Sequence, residues 1–188
     1  AAITFGFIHP FGSSMLFSRD VLGYVDQAFE NRSNFAIVRS SRDDAARERQ
    51  VADHLLANGV KGLIVWPVSN DPNGEYFTAL AQTTPVVLVD RLLPGYDLPA
   101  VIQDCYTSGQ AICEHILGKL RKRRFLVLMD NLRITTYEET LRGMQHHATE
   151  MKRLKDITII QLPITQCIQK INQSDFSQVP DLSEYIET

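Results

Sequence analysis

The sequence lacks the residue patterns on which several kinds of chemistry depend. Its three cysteines, Cys105, Cys113 and Cys167, form no Cys-x-x-Cys pair, so neither a zinc site nor a disulfide framework is predicted. It has no Gly-x-Gly-x-x-Gly fingerprint and no Gly-x-Ser-x-Gly elbow. The adjacent His146 and His147 would point about 100° apart on a helix, which suits a metal ion poorly. No catalytic residue, metal site or cofactor is therefore predicted, and the chain is not expected to be an enzyme.

Excess charge and long apolar runs are also lacking. A formal net charge of −3 gives no electrostatic footprint for nucleic acid, and the basic run 119–124 is expected to be a solvated turn after a helix. No apolar run reaches about 18 residues, so no membrane contact is predicted. The sequence opens with a strand pattern rather than a signal peptide, and free thiols favour a reducing compartment. A cytoplasmic location is therefore expected.

The sequence does contain a regular alternation of strand and helix patterns. Because strands alternate with helices from start to finish, we predict an α/β fold with parallel sheets. The second helix is predicted to pack through Val51, Leu56 and either His54 or Leu55, and a fourth helix is predicted to cover about 106–120. The predicted strands are 3–9, 34–40, 62–66, 85–89, 100–103, 125–129 and 157–161.

One buried strand ends in an acid and a base. The run 85–89 is apolar throughout and is followed by Asp90 and Arg91. Ligands of open α/β sheets bind at the carboxyl ends of the strands, and a guanidinium suits a hydroxyl-rich or anionic small molecule. We predict that Asp90 and Arg91 bind a ligand; the alternative is a salt bridge at the surface or at a hinge.

Six segments occur in a fixed order along the chain: 59–65, 85–91, 101–104 with Gly109, Ala111 with 115–117, 123–126, and Arg142-Gly143-Met144. In their order and spacing they resemble the effector-binding domain of the LacI/GalR repressor family and its relatives, the periplasmic sugar-binding proteins. The resemblance implies a periplasmic-binding-protein-like fold of type I, with two Rossmann-like subdomains that have parallel sheets. We expect an N-terminal subdomain at 1–119, an incomplete C-terminal subdomain at 120–173 and a polar tail at 174–188.

The loop after the first strand supplies candidate ligand contacts. Ser13 and Met15 lie in this loop, where backbone donors and small hydroxyls would face a ligand. Leu16 and Phe17 follow, and the resemblance places the aromatic contacts of the family at these two positions. The alternative is that Leu16 and Phe17 fasten the following helix to the sheet.

Five further candidates follow later strands. Trp66, the single tryptophan, ends the third predicted strand and would line the cleft or belong to the core. Asp104 would accept a ligand hydroxyl, cap the next helix, or do both. Arg133, Tyr137 and Glu138 lie after the sixth strand, where the resemblance makes them cleft residues and the alternative is solvated surface.

The resemblance implies the ligand-sensing domain of a transcriptional regulator. A small sugar-like effector would bind between the subdomains of a homodimer and alter DNA binding by a headpiece outside this segment. No helix-turn-helix precedes Ala1, so operator DNA would be contacted only through that headpiece. Thr140 stands where many members carry a ligand-binding arginine, and Arg133 is the expected replacement. The alternatives are a periplasmic sugar-binding protein of a transporter and the sensor module of a larger signalling protein.

Overall fold

The chain folds into two compact units. The computed structural model describes residues 2–12, 16–70 and 72–171, with the backbone alone described at 16–20 and 168–171. Unit 1 contains the described residues up to Asp104 together with residues 133–136, and unit 2 contains residues 105–132 and the described residues from Tyr137 onward. The division falls after Asp104, and the subdomain boundary at residue 119 stays a prediction. The predicted tail at 174–188 lies outside the described residues.

Unit 1 is built on a five-stranded sheet in which every neighbouring pair is parallel, in the order β2-β1-β3-β4-β5. This confirms the predicted α/β fold. β5 is shorter than predicted because its partner, β4, turns away at Asp90 and leaves Ile102 and Gln103 without a strand to pair with. The strands are β1 (Thr4–His9), β2 (Phe35–Ser40), β3 (Leu63–Val65), β4 (Val86–Val89) and β5 (Ala100–Val101), and the helices are α1 (Leu16–Glu30), α2 (Ala45–Ala57) and α3 (Gly74–Leu80).

Helix α2 packs against the core through the predicted Val51, Leu55 and Leu56, and also through Glu48 and Ala52, which were not predicted. Asp44 caps the helix by accepting a hydrogen bond from the backbone N of Arg47 at 2.6 Å. The helix therefore begins at Ala45. Its buried residues are Glu48, Ala52 and Leu55, which are four and then three positions apart and so lie on one face. His54 is exposed, so the prediction that allowed it on the inner face was wrong in that choice. Val51 and Leu56 are partly buried against the same core.

Glycine at position 6 sets how closely α2 approaches β1. A Cβ built at Gly6 would lie 2.8 Å from side-chain carbons of both Leu55 and Leu63. Those two leucines belong to a buried apolar cluster that also contains Ile8 and Phe77 and that fills the space between the sheet and helices α2 and α3. A side chain at position 6 would force this layer apart.

Unit 2 contains a two-stranded parallel sheet, with β6 (Phe125–Asp130) paired to β7 (Ile157–Leu162). Helix α4 (Cys105–Cys113) continues as a π-helical segment, Glu114–Lys119, so the helix predicted at 106–120 is only partly α-helical. α5 (Thr135–Glu150) begins in unit 1 and continues into unit 2, and α6 (Ile164–Ile171) follows β7. Cys113, Leu117, Met144 and Ala148 form the buried core of this unit.

Two glycines bring α4 and α5 into backbone contact. A Cβ at Gly109 would overlap the carbonyl of Thr140, and a Cβ at Gly143 would overlap the carbonyl of Tyr106. The two helices therefore touch at a pair of positions that only glycine can occupy. The basic run at 119–124 is exposed, as expected for a solvated turn. Arg153 fixes this turn by donating to the carbonyls of Leu117, Lys122 and Arg123. In the described part of the chain no helix is both long and apolar enough to span a membrane.

Candidate functional site

The order of strands in unit 1 marks where a ligand would bind. The connection from β1 runs to one side, to β2, whereas the later strands are added on the other side, from β3 onward. In open parallel sheets ligands bind in the crevice outside the carboxyl ends of the strands at such a reversal. Here the carboxyl ends of β1 and β3 are followed by Phe11 and Trp66, and the neighbouring β4 is followed by Asp90 and Arg91.

Backbone strain is concentrated at this edge. Among the described residues, seven non-glycine residues have a positive φ. Ser33, Arg121 and Lys152 lie just beyond helical segments, where a left-handed residue commonly ends a helix. The other four lie in the loops that follow β2, β3 and β4, and residues held in the left-handed region of such loops are often found at ligand-binding positions. They are Arg42 (55°), Asp43 (57°), Asn70 (65°) and Asp90 (66°).

Asp90 turns the chain sharply at the end of β4. The backbone N of Arg91 donates to the carbonyl of Val89 at 2.7 Å around Asp90, which forms a γ-turn with a left-handed central residue. The Asp90 carboxylate accepts a hydrogen bond from Trp66 Nε1 at 3.0 Å. Burial raises the pKa of Asp90, while the charge of Arg91 and the bond from Trp66 lower it. The structure thus brings together Trp66, Asp90 and Arg91, all three of which were predicted to be site residues.

Arg91 is buried at the same edge. Only 7% of the residue is exposed, so a fully solvated surface ion pair is excluded. Its Nη1 donates to the carbonyl of Pro67 at 2.8 Å and lies 3.9 Å from Oδ1 of Asp43. The guanidinium is therefore fixed in position by the loops after β2 and β3. Its role in ligand binding stays a prediction.

The loop after β3 is held by two acids that the sequence reasoning missed. Glu48 is fully buried on α2, and its two carboxyl oxygens accept from the backbone N of Val68 at 2.9 Å and from Nδ2 of Asn73 at 2.7 Å. Asp43 Oδ1 accepts from the backbone N of Ser69 at 2.7 Å. Burial raises the pKa of Glu48 to about 7, although the two hydrogen bonds and Arg91 act in the opposite direction. The sequence did contain a signal: Glu48 lies four residues before Ala52 and seven before Leu55, so all three share one face of α2.

Glu48 makes stability dependent on pH. Its pKa is about 7 in the folded protein and 4.5 for an ordinary glutamate, so the folded state binds this proton more tightly than the unfolded chain does. The resulting stability is fully present below pH 4.5 and is lost as the pH rises through 7, a change of about 3 kcal/mol. Glu48→Gln, which does not titrate, should remove this fall when urea denaturation is followed between pH 4.5 and 8. An equal fall in both proteins would contradict the assignment.

An aromatic group lies beside the acids. The Phe11 and Trp66 rings meet edge to face with centroids 4.6 Å apart, and His9, the last residue of β1, stacks on Phe11 at 6.0 Å. Burial lowers the pKa of His9, so its imidazole is neutral at pH 7. His9 Nδ1 is buried and has no hydrogen-bond partner within the described residues. Neither His9 nor Phe11 was predicted as a site residue, because each reads as part of a strand and its punctuating loop.

Arg133 lies in unit 1 although it follows a strand of unit 2. Its backbone N donates to Oδ1 of Asn70 at 3.3 Å, and its carbonyl accepts from the backbone N of Asn70 at 2.8 Å. Thr135 Oγ1 in turn exchanges hydrogen bonds with the backbone N and carbonyl of Leu92, at 3.1 and 3.2 Å. These contacts bring residues 133–135 to the loops that follow β3 and β4, and hence to the edge where Trp66 and Arg91 lie.

The remaining predicted site residues are Asp104, the pair Tyr137 and Glu138, and the four candidates that follow the first strand. Asp104 is exposed and directly precedes α4, the position at which a helix cap would lie. Tyr137 and Glu138 lie in α5 within unit 2. Leu16 and Phe17 begin α1 and are described by their backbone alone, and Ser13 and Met15 lie outside the described residues. Across the described ranges no three or more His, Cys, Asp or Glu side chains are arranged to hold a metal ion.

A parallel α/β sheet with acids, a guanidinium and aromatic rings at its carboxyl edge is the arrangement typical of domains that bind small molecules. The periplasmic binding protein domain family matches residues 5–179, and the chain belongs to that family.

Two transcriptional regulators are among the proteins to which the chain is similar in sequence or in fold. The chain is 29% identical over 128 residues to the ribitol operon repressor of Klebsiella aerogenes, a match that covers 60% of this chain and 47% of the repressor. Its fold is similar to that of the Cra transcriptional dual regulator from Pseudomonas putida in complex with fructose 1-phosphate, with a TM-score of 0.72, 17% identity, and coverage of 90% of this chain and 65% of that one.

A transport protein has a similar fold. An ABC transporter solute binding protein from Clostridium phytofermentans with bound β-D-glucose matches with a TM-score of 0.69, 16% identity, and coverage of 83% of this chain and 51% of that one. The chain thus spans about half the length of the ribitol repressor and of this transport protein. These findings confirm the predicted resemblance and fold, and the relatives named here are regulators and a sugar-binding protein rather than enzymes.

Proposed function

We propose that the chain is the effector-binding domain of a LacI/GalR-like transcriptional regulator, and that its effector is a sugar or a sugar alcohol. The observation that carries the proposal is the cluster of Trp66, Asp90 and Arg91 where the strand order reverses. Carboxylate and guanidinium groups can form hydrogen bonds with the hydroxyls of such a molecule, and aromatic rings can pack against its apolar faces. The repressor and the Cra regulator among the relatives support the regulatory role.

The remaining parts of the proposal concern the whole protein. Operator DNA is bound by a headpiece outside residues 1–188, the protein acts as a homodimer, and it works in the cytoplasm. None of Cys105, Cys113 and Cys167 forms a disulfide among the described residues, which supports a reducing location. The protein has a form that binds DNA and a form that does not. The effector shifts the equilibrium toward whichever form it binds more tightly.

Effector binding can be tested by thermal unfolding of the 188-residue chain with a panel of sugars and sugar alcohols. A compound present at a hundred times its Kd should add about 2.7 kcal/mol to the free energy of unfolding. Asp90→Asn should weaken that compound's binding by about tenfold or more, because an amide loses the charge of the hydrogen-bond acceptor while it still accepts from Trp66. Titration calorimetry measures the affinity.

The matched control is Asp97→Asn, which removes the same charge from an exposed loop residue of unit 1. We expect its affinity for the compound to equal that of the unchanged chain. Equal affinities for the Asp90 and Asp97 variants would remove Asp90 from the site, and the absence of any response across the panel would contradict the sensor role.

A periplasmic sugar-binding protein is the second candidate, favoured by the fold of the transport protein with bound glucose. The sequence match to a repressor, at 29% identity, favours the regulator over it. The gene upstream of residue 1 distinguishes the two, because a helix-turn-helix there supports the regulator and a signal peptide supports the transport protein.

A further inference from the structure

Two segments of unit 2 concentrate positive charge. They are residues 119–124, which precede β6, and residues 151–156, which precede β7, and together we call them the basic surface. They contain eight of the chain's 19 lysine and arginine residues and a single acid, so the remaining residues carry more negative charge than the net −3 of the whole chain. Seven of these cations are exposed, namely Lys119, Arg121, Lys122, Arg123, Arg124, Lys152 and Lys155.

The fold holds the two segments together. Phe125 and Ile157, the first residues of β6 and β7, lie opposite each other in the parallel sheet, so the preceding segments reach the same edge of it. Arg153, the remaining cation, donates from the second segment to the carbonyls of Lys122 and Arg123 in the first, at 2.8 and 2.9 Å. The backbone of the basic surface is therefore fixed before any partner binds, which lowers the entropy that binding would cost.

The ends of the preceding helices explain only part of this charge. A helix dipole attracts cations within about its last turn, and the helical segments here end at Lys119 and Glu150. Arg123 and Lys155 lie four and five residues further on, outside that range. Like charges that repel one another are thus kept in one region, and a bound anionic partner would relieve the repulsion.

Two exposed leucines indicate which kind of anion fits the basic surface. Leu120 is 52% exposed in the first segment, and Leu154 is 47% exposed in the second. Apolar side chains of a protein could pack against them while its carboxylates pair with the cations. A nucleic acid would bring phosphates to the leucines, and neither segment has an aromatic ring on which a base could stack. A long polyanion would also be repelled by the acidic remainder of the chain.

We infer that the basic surface binds an acidic segment of another protein in which apolar side chains lie between the acids. The test measures the binding of fluorescein-labelled peptides to the 188-residue chain by fluorescence anisotropy. One peptide alternates glutamate with leucine, and a second peptide of the same length alternates glutamate with serine. Arg121→Gln/Lys122→Gln/Arg123→Gln should weaken the binding of the leucine peptide by about tenfold, because three ion pairs are lost. Removing charges that repel one another should not endanger the fold.

Two further variants make the test specific. Arg32→Gln/Arg49→Gln/Lys61→Gln removes three exposed cations from unit 1 instead and should change the affinity by less than about twofold, because salt screens distant charges. Leu120→Ser/Leu154→Ser should weaken the binding of the leucine peptide by about tenfold and leave that of the serine peptide unchanged.

The inference concerns unit 2 alone and does not depend on the proposed function. Equal losses for the two triple variants would overturn it, because the attraction would then not be local. It would also be overturned if the double serine variant bound both peptides as the unchanged chain does. Tighter binding of a DNA duplex of about 20 base pairs, or of phosphatidylserine vesicles, than of the leucine peptide would assign the surface to a different partner and overturn it as well.

Discussion

Glu48→Ala is expected to lower the free energy of unfolding by about 2–4 kcal/mol at pH 6. The side chain is fully buried, and its two oxygens accept from Val68 N and Asn73 Nδ2. Alanine would leave both donors without this acceptor and would open a cavity beneath the loop that follows β3. Urea denaturation followed by the fluorescence of Trp66, at the start of that loop, measures the change.

The control is the next residue on the same helix. Arg49 is exposed, and Arg49→Ala should change the free energy of unfolding by no more than about 0.5 kcal/mol. Similar losses for the two variants would show that the helix, rather than the buried carboxyl, is responsible.

Gly109→Ala should lower the stability of unit 2 by about 2–3 kcal/mol, because the new methyl group would overlap the backbone carbonyl of Thr140 on α5. A flexible side chain could move aside, but a helix backbone can do so only if α4 and α5 separate. Trp66, the single tryptophan, lies in unit 1, so its fluorescence reports that unit. The part of the helical circular dichroism that unit 2 contributes should therefore be lost at lower urea concentration, before the fluorescence changes.

Gly23→Ala provides the opposite result in the same experiment. Gly23 lies inside α1, and a Cβ there would have nothing within 4 Å, so alanine should raise stability by up to about 1 kcal/mol through helix propensity alone. If Gly109→Ala were also stabilising, the close approach of α4 and α5 would be refuted.

The sequence predicted those parts of the fold and site that depend on local pattern. The apolar run 85–89 with Asp90 and Arg91 after it reads as a buried strand with polar residues at its end, and the structure has both. Because strands and helices alternate, the parallel sheet followed as well. The positions of Trp66, Asp90 and Arg91 near one another came from the rule on strand ends rather than from any contact visible in the sequence.

Other features depend on where an element begins or on contacts distant in sequence. The inner face of α2 was predicted only in part: Leu55 is an apolar residue at helical spacing, whereas the burial of Glu48 depends on Val68 and Asn73, which lie 20 and 25 residues further along the chain. The left-handed conformation of Asp90 was not predicted, because the turn that it forms contains no glycine to indicate a positive φ. The hydrogen bonds between Asn70 and Arg133 join residues 63 positions apart, and neither residue alone predicts them.

The assignment of residues 133–136 to unit 1 limits how the protein can be dissected. A fragment that starts at Cys105 would carry these four residues without Asn70 and Leu92, to which they bond. Ile134, which is 4% exposed in the intact chain, belongs to that segment. Such a fragment would expose the side chain of Ile134 and would lose the hydrogen bonds that hold Arg133 and Thr135, so we expect residues 133–136 to lose their fixed conformation in it.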